Sequence, residues 1–178
     1  MGTYYHTSND NLAVGTILQP MYGEKLKDSR QYVNDNGYFY DNYTQYLKEM
    51  LFEEIRRTEF PSLPSRIQSI YLTESYELAI EYAEKYNKKY IYEVEIEDPS
   101  KSVTLDMQWM DLSILQSYDT VKEMARNYYN GESIDGPLHW GIYEGAKNNP
   151  IKIKPFWETL YDGKVITKKC VLIKEPIS

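Results

Sequence analysis

Ile70-Tyr71-Leu72-Thr73-Glu74-Ser75-Tyr76-Glu77-Leu78-Ala79-Ile80-Glu81-Tyr82-Ala83 is the stretch on which the reading of this chain turns. Its first part belongs to a strand, Ile67 to Thr73, in which Ile70 and Leu72 share one face and Tyr71 lies on the other beside Ser69 and Thr73. The period then changes. Leu78, Ala79, Tyr82, Ala83 and Tyr86 recur at helical spacing, with Thr73 or Ser75 available as the N-cap. A strand-borne and a helix-borne tyrosine eleven residues apart (82 − 71) can hold a flat ring between them.

Upstream, Thr3 to Thr7 alternates as a first strand with Tyr4 and His6 on one face, and Asn9-Asp10-Asn11 turns it. Gly23 to Gly37 reads as a loop. Phe39, Tyr43, Leu47, Met50, Leu51 and Ile55 form a helical stripe that Pro61 and Pro64 terminate. Downstream, Tyr90, Tyr92, Val94 and Ile96 alternate with Ile91, Glu93, Glu95 and Glu97 as a strand, and Val103, Leu105 and Met107 repeat the pattern. Thr120 and Glu123 fit a capping box ahead of a helix through Val121, Met124, Ala125 and Tyr128, with Gly131 at its C-terminus. Gly131 to Pro150 reads as a loop, and Asp162-Gly163 turns the chain into a last strand, Val165 to Ile173. Strands with helices packed outside predict an α+β fold in one domain, residues 1–178.

Composition narrows the function. No apolar run approaches the ~18 residues of a membrane span, so a soluble, cytoplasmic protein without membrane contact is expected. The lone Cys170 forms no internal disulfide and excludes a multi-thiolate metal site, and with only His6 and His139 besides, a zinc site would have to lean on carboxylates. The net charge of −7 disfavours general tracking of a phosphate backbone, although basic residues gather at Arg56, Arg57 and Arg66 and at Lys164, Lys168 and Lys169. The glycines at 131, 136, 141 and 145 do not spell a dinucleotide-binding fingerprint, and Gly163-Lys164 lacks the upstream glycine of a P-loop. A nucleophile elbow is missing as well.

Four parts in order carry a resemblance: His6-Thr7 on the first strand, Ile70-Tyr71-Leu72-Thr73 on a middle strand, Ala79 to Ala83 on the next helix, and Trp157-Glu158-Thr159-Leu160 before the last strand. This order resembles the ADP-ribosyltransferases of the diphtheria-toxin-like His-Tyr-Glu type, most of all their bacterial and phage members. The resemblance implies a split mixed β-sheet with surrounding helices and NAD⁺ as co-substrate, without a metal. It implies mono-ADP-ribosyl transfer to a macromolecule, with Glu158 as the catalytic carboxylate on the nicotinamide ribose 2′-hydroxyl and Glu144 as its rival. Tyr71 and Tyr82 would stack on nicotinamide, with Tyr76 as substitute for Tyr82. His6 and Thr7 would hold the adenosine side, and Arg66 could pair with the pyrophosphate.

Arginine-modifying relatives carry Glu, and several others Gln, two residues before the catalytic Glu; this chain has Phe156. An aromatic there would suit stacking on a base or another flat acceptor, which slightly favours RNA or DNA over protein as acceptor. Relatives include toxins paired with an antitoxin in phage defence. Two other readings stay open: an RNA 2′-phosphotransferase, and a catalytically silent module that binds a nucleotide or a partner protein.

Overall fold

The computed structural model describes residues 3–23, 39–113, 116–135 and 153–173, with the backbone alone for 39–44 and 173. Four strands form one sheet: β1 (Tyr4–Ser8), β2 (Ile17–Leu18), β4 (Tyr90–Ile96) and β7 (Val165–Ile173), in the order β1-β4-β7-β2. Three form a second sheet, in which β6 (Trp157–Tyr161) lies between β3 (Ile70–Leu72) and β5 (Val103–Asp106). The helices are α1 (Phe39–Glu59), α2 (Tyr76–Lys85), the short α3 (Gln108–Leu112) and α4 (Tyr118–Tyr129). The α+β class is as the pattern predicts. Every described strand pair is antiparallel, however, so the expected mixed sheet is replaced by two antiparallel ones.

The two sheets meet where β1 runs beside the end of β3. Tyr5 and Thr73 exchange two backbone hydrogen bonds of 2.9 Å, and Ile70, Leu72 and Tyr161 of the small sheet pack with Tyr4, Tyr92, Val94 and Val165 of the large one. A second core lies under α1 and α4, where Phe52 meets the rings of Tyr128 and Tyr129 at 5.6 and 6.4 Å. Ala79, Ala83 and Ile91 seat α2 on β4. Each aliphatic side chain fully buried in these layers contributes about 1.5–3 kcal/mol before the entropy of ordering it is subtracted.

Several element boundaries differ from expectation for identifiable reasons. Arg66–Gln68 is a 3₁₀ turn, so β3 begins three residues later than the predicted strand; the turn carries Arg66 inward instead of leaving it along a strand. The N-cap of α4 is Ser117, whose Oγ accepts the Thr120 N–H at 3.3 Å, so the predicted capping box starts one turn too late. Gly131 ends that helix with φ of 72°, as its position suggests. Ser75 is the N-cap of α2 and accepts from the Leu78 N–H. Along α1 the inward face is rotated: Leu47 is exposed, whereas Lys48, Glu49, Phe52 and Ile55 are buried.

Asp106 is a buried clasp at the end of β5. Its carboxylate accepts the backbone N–H groups of Gln108, Ile134 and Phe156 at 2.9–3.1 Å, which fixes the approach to β6. After β6 the turn at Gly163 passes directly over the Tyr161 ring, and a Cβ at that glycine would overlap it. The predicted loops fall mainly on residues 24–38 and 136–152, outside the described residues, as does Glu144.

Candidate active site

Arg66 is the centre of the site. Its guanidinium sits between the rings of Tyr71 and Tyr128, 5.2 and 5.3 Å from their centroids. Nε and Nη2 donate to the two oxygens of Glu49 at 3.1 and 3.3 Å, while Nη1 donates to the Tyr128 hydroxyl at 2.7 Å and to Glu158 Oε1. Burial alone would disfavour this charge, but Glu49 and the flanking phenols hold the guanidinium pKa well above its ordinary value. Arg66 therefore stays cationic with four of its five N–H donors engaged by protein groups. The expected pyrophosphate contact gives way to a carboxylate clamp, because the 3₁₀ turn aims the side chain between α1 and β6.

Glu49 and Glu158 approach Arg66 from different elements. Glu49 on α1 also accepts from Tyr22 at 2.9 Å and from Gln45, one helical turn away, at 3.1 Å. Glu158 on β6 is fully buried, and the Tyr128 hydroxyl donates to its Oε1 at 2.8 Å. Oε2 of Glu158 is buried with no hydrogen-bond partner. A carboxylate oxygen left bare in the interior costs roughly 1–3 kcal/mol or more, so it is a position where a donor from a ligand is worth most. Two carboxylates thus share the one guanidinium. Lys48 is buried next to it, its pKa lowered by burial although Glu49 and Asp111 pull it up.

A cavity of about 650 Å³, within the range of small-molecule sites, is lined by His6, Thr7, Arg66, Tyr71, Tyr82 and Glu158, among others. His6 reaches it from β1. Its Nδ1 lies 3.0 Å from the Tyr71 carbonyl oxygen, which can only accept, so Nδ1 carries the proton and Nε2 presents a lone pair. Burial lowers the imidazole pKa; the Tyr71 carbonyl opposes this and Lys88 reinforces it, so the neutral form prevails at neutral pH. The Tyr71 hydroxyl donates to the Arg66 carbonyl at 2.9 Å, tying strand to 3₁₀ turn. Burial pushes the Tyr82 phenol up to about 12, so it remains a neutral aromatic wall.

The structure thus brings His6, Thr7, Arg66, Tyr71, Tyr82 and Glu158 to one cavity from four regions of the chain. Tyr76 packs on Tyr5 instead, at 5.7 Å, and does not replace Tyr82 there. Phe156 corrects an expectation: it is buried and stacked on Tyr82 at 5.9 Å, with the Lys85 ammonium 4.5 Å from its centroid, so it offers no open face to a base. The basic gathering at Arg56 and Arg66 is likewise taken up internally, Arg56 by Glu53 at 2.8 Å. Sequence reasoning missed Glu49, Tyr128, Tyr22 and Gln45. The signal available for two of them was the spacing of Gln45, Glu49 and Phe52, which puts all three on one helix face. Among the described residues, no three His, Cys, Asp or Glu side chains converge in a way that could hold a metal ion, and no helix is long and apolar enough to cross a membrane.

Fold and site together define an α+β domain with a buried guanidinium–carboxylate centre in the wall of a ligand-sized cavity. The chain belongs to the DUF2441 family, described as proteins of unknown function, which it matches over residues 4–145. The match includes His6, Glu49, Arg66, Tyr71, Tyr82 and Tyr128 and ends before Glu158. No curated protein matches the chain.

Proposed function

We propose that this protein is a mono-ADP-ribosyltransferase that cleaves NAD⁺ and passes ADP-ribose to a macromolecular acceptor. The observation that carries the reading is the convergence of His6, Tyr71, Tyr82 and Glu158, remote in sequence, on one cavity. The bond between nicotinamide N1 and ribose C1′ breaks with its electron pair going to the ring. A nucleophile of the acceptor then bonds to C1′ and gives up its proton. Positive charge grows on the ribose as the ring leaves, so the enzyme must supply fixed negative charge there.

Glu49 and Glu158 bring two carboxylates to that region, and bare Oε2 of Glu158 is a ready acceptor for a ribose hydroxyl. Arg66 has a positioning role in this scheme: it holds Oε1 so that Oε2 is the free oxygen. Tyr71 and Tyr82 bound the ring, and Nε2 of neutral His6 accepts from a hydroxyl of the second ribose. With Phe156 buried, nothing favours a base over a protein side chain as acceptor, and both remain targets of the assay. The same reading makes the protein a cytoplasmic effector or toxin with an antitoxin partner, so its expression alone should arrest growth.

The test is transfer of label from adenine-labelled NAD⁺ into RNA, DNA or protein, together with release of nicotinamide. Glu158→Gln should lower both by about 100-fold or more while far-UV circular dichroism is unchanged. Equal release by the variant would reject Glu158 as the catalytic carboxylate. Binding of NAD⁺ with no nicotinamide release by the wild type would make the protein a silent nucleotide-binding module.

A further inference from the structure

We propose that Tyr22 is a positioning residue of this site: its hydroxyl holds Glu49, Glu49 holds Arg66, and Arg66 holds the Glu158 carboxylate for the transfer. The reaction it serves is the one just proposed, and the inference rests on that reading. Glu49 does not line the cavity, but Tyr22 and Gln45 do. These two therefore stand between the ligand space and the buried ion pairs. The Gln45 amide donates to the Tyr22 hydroxyl at 2.8 Å, and that hydroxyl donates to Glu49 Oε1 at 2.9 Å. Arg66 then donates to Glu49 through Nε and Nη2, and to Glu158 Oε1 through Nη1. Directed bonds thus join a wall residue to the acid.

Local structure fixes Tyr22 from two sides. Its ring meets Tyr71 edge-on, with centroids 5.4 Å apart and planes at 89°. Gly23, the next residue, is buried against the 3₁₀ turn that carries Arg66: a Cβ there would run into the Ile67 carbonyl oxygen, so glycine is what lets the chain come this close. Burial, with Glu49 beside it, raises the phenol pKa well above its ordinary value although Arg66 opposes this, so the hydroxyl keeps its proton and donates at neutral pH. That donor helps to set which way Glu49 points. The two oxygens of Glu49 in turn grip the planar guanidinium at Nε and Nη2, which leaves Nη1 aimed at Glu158 Oε1. With Oε1 held, Oε2 is the free oxygen. Misplacement of a reacting group by about 1 Å can cost on the order of 100-fold in rate, so a donor further back along this chain of bonds still bears on turnover.

Steady-state release of nicotinamide from NAD⁺ by the full chain tests this. Tyr22→Phe keeps the ring and loses the hydroxyl, so KM should stay within about twofold of wild type while kcat falls roughly tenfold, the size of one lost hydrogen bond to a charged group. Gly23→Ala alters no polar side chain, yet should lower kcat in the same way by displacing Tyr22. Far-UV circular dichroism should be unchanged for both. Glu49→Gln should lower kcat as well, and adding Tyr22→Phe to it should cost less than about twofold more, because the hydroxyl acts through that carboxylate. Independent, multiplying losses in that pair would place the action of the hydroxyl on the ligand itself and overturn the positioning role. A Tyr22→Phe protein with wild-type kcat, or with its whole loss in KM, would also overturn it and leave the transferase reading standing. No nicotinamide release by the wild type would overturn the transferase reading and this inference with it.

Discussion

Two buried regions of this molecule are built on opposite principles. Between the sheets, Ile70, Leu72, Tyr92, Val94, Tyr161 and Val165 are held by apolar contact, and the phenols reach outward to backbone groups: Tyr92 to Asp10 and Leu12, Tyr161 to Asp98. Between α1, the 3₁₀ turn and β6, the interior is Glu49, Arg66, Tyr128 and Glu158, joined by directed bonds. The first region gains from area and loses gradually as atoms are removed. In the second, the charged members lean on one another, with Tyr22 and Gln45 also donating to Glu49, so removing Arg66 leaves both carboxylates without their cation. A protein seeking only stability would not need the second arrangement.

The largest expected effect is on the polar side. Arg66→Leu should cost about 3–5 kcal/mol in urea unfolding, since it leaves two carboxylates facing each other in the interior. Replacing the whole unit, as Glu49→Leu with Arg66→Met and Glu158→Leu, should bring stability back to within about 2 kcal/mol of wild type with no nicotinamide release. A triple variant as unstable as the single one would mean that the cluster holds the fold by more than charge balance. On the apolar side, Leu72→Ala should cost about 3 kcal/mol with no recovery route of that kind. Tyr128→Phe is smaller, about 1–2 kcal/mol, through the lost hydroxyl between Arg66 and Glu158; its nicotinamide release should fall more than its stability.

The smallest effect separates the regions by pH. The folded His6 imidazole has its pKa lowered by burial, whereas in the unfolded chain it returns towards its ordinary 6.5. Below that value the unfolded state binds the extra proton, so stability falls as pH drops from 7 towards 5, by at most ~1.4 kcal/mol per unit. His6→Gln should flatten that slope in pH-dependent thermal melts. An unchanged slope would assign the proton uptake elsewhere.

The chain announced its local elements and concealed its long-range pairing. Alternation gave β4 and the orientation of Tyr71, and helical spacing with Ser75 gave α2, because these depend on neighbours within a few residues. The α1 stripe was set by its hydrophobic residues and so came out rotated. Glu49 is buried for the sake of Arg66, 17 residues on, and Tyr128 for the sake of Glu158, 30 residues on. No periodicity encodes such a pairing. Phe156 was read as a stacking surface for an acceptor for the same reason, its partner Tyr82 being far off in sequence. His6, Tyr71, Tyr82 and Glu158 were singled out by motif order, and the structure brings them to one cavity although no periodicity shows that they meet.

The turn at Gly163 reaches further than its place on the surface suggests. It is half exposed and far in function from any catalytic group, yet the space above it is already filled by Tyr161, three residues along the same strand from Glu158. A side chain grafted there must push the phenol, whose hydroxyl also accepts the Asp98 N–H at 3.0 Å. Anyone randomising solvent-facing positions to improve this protein should therefore leave that one alone: accessibility is a poor guide to which sites are expendable when a hairpin doubles back over the strand that holds the acid.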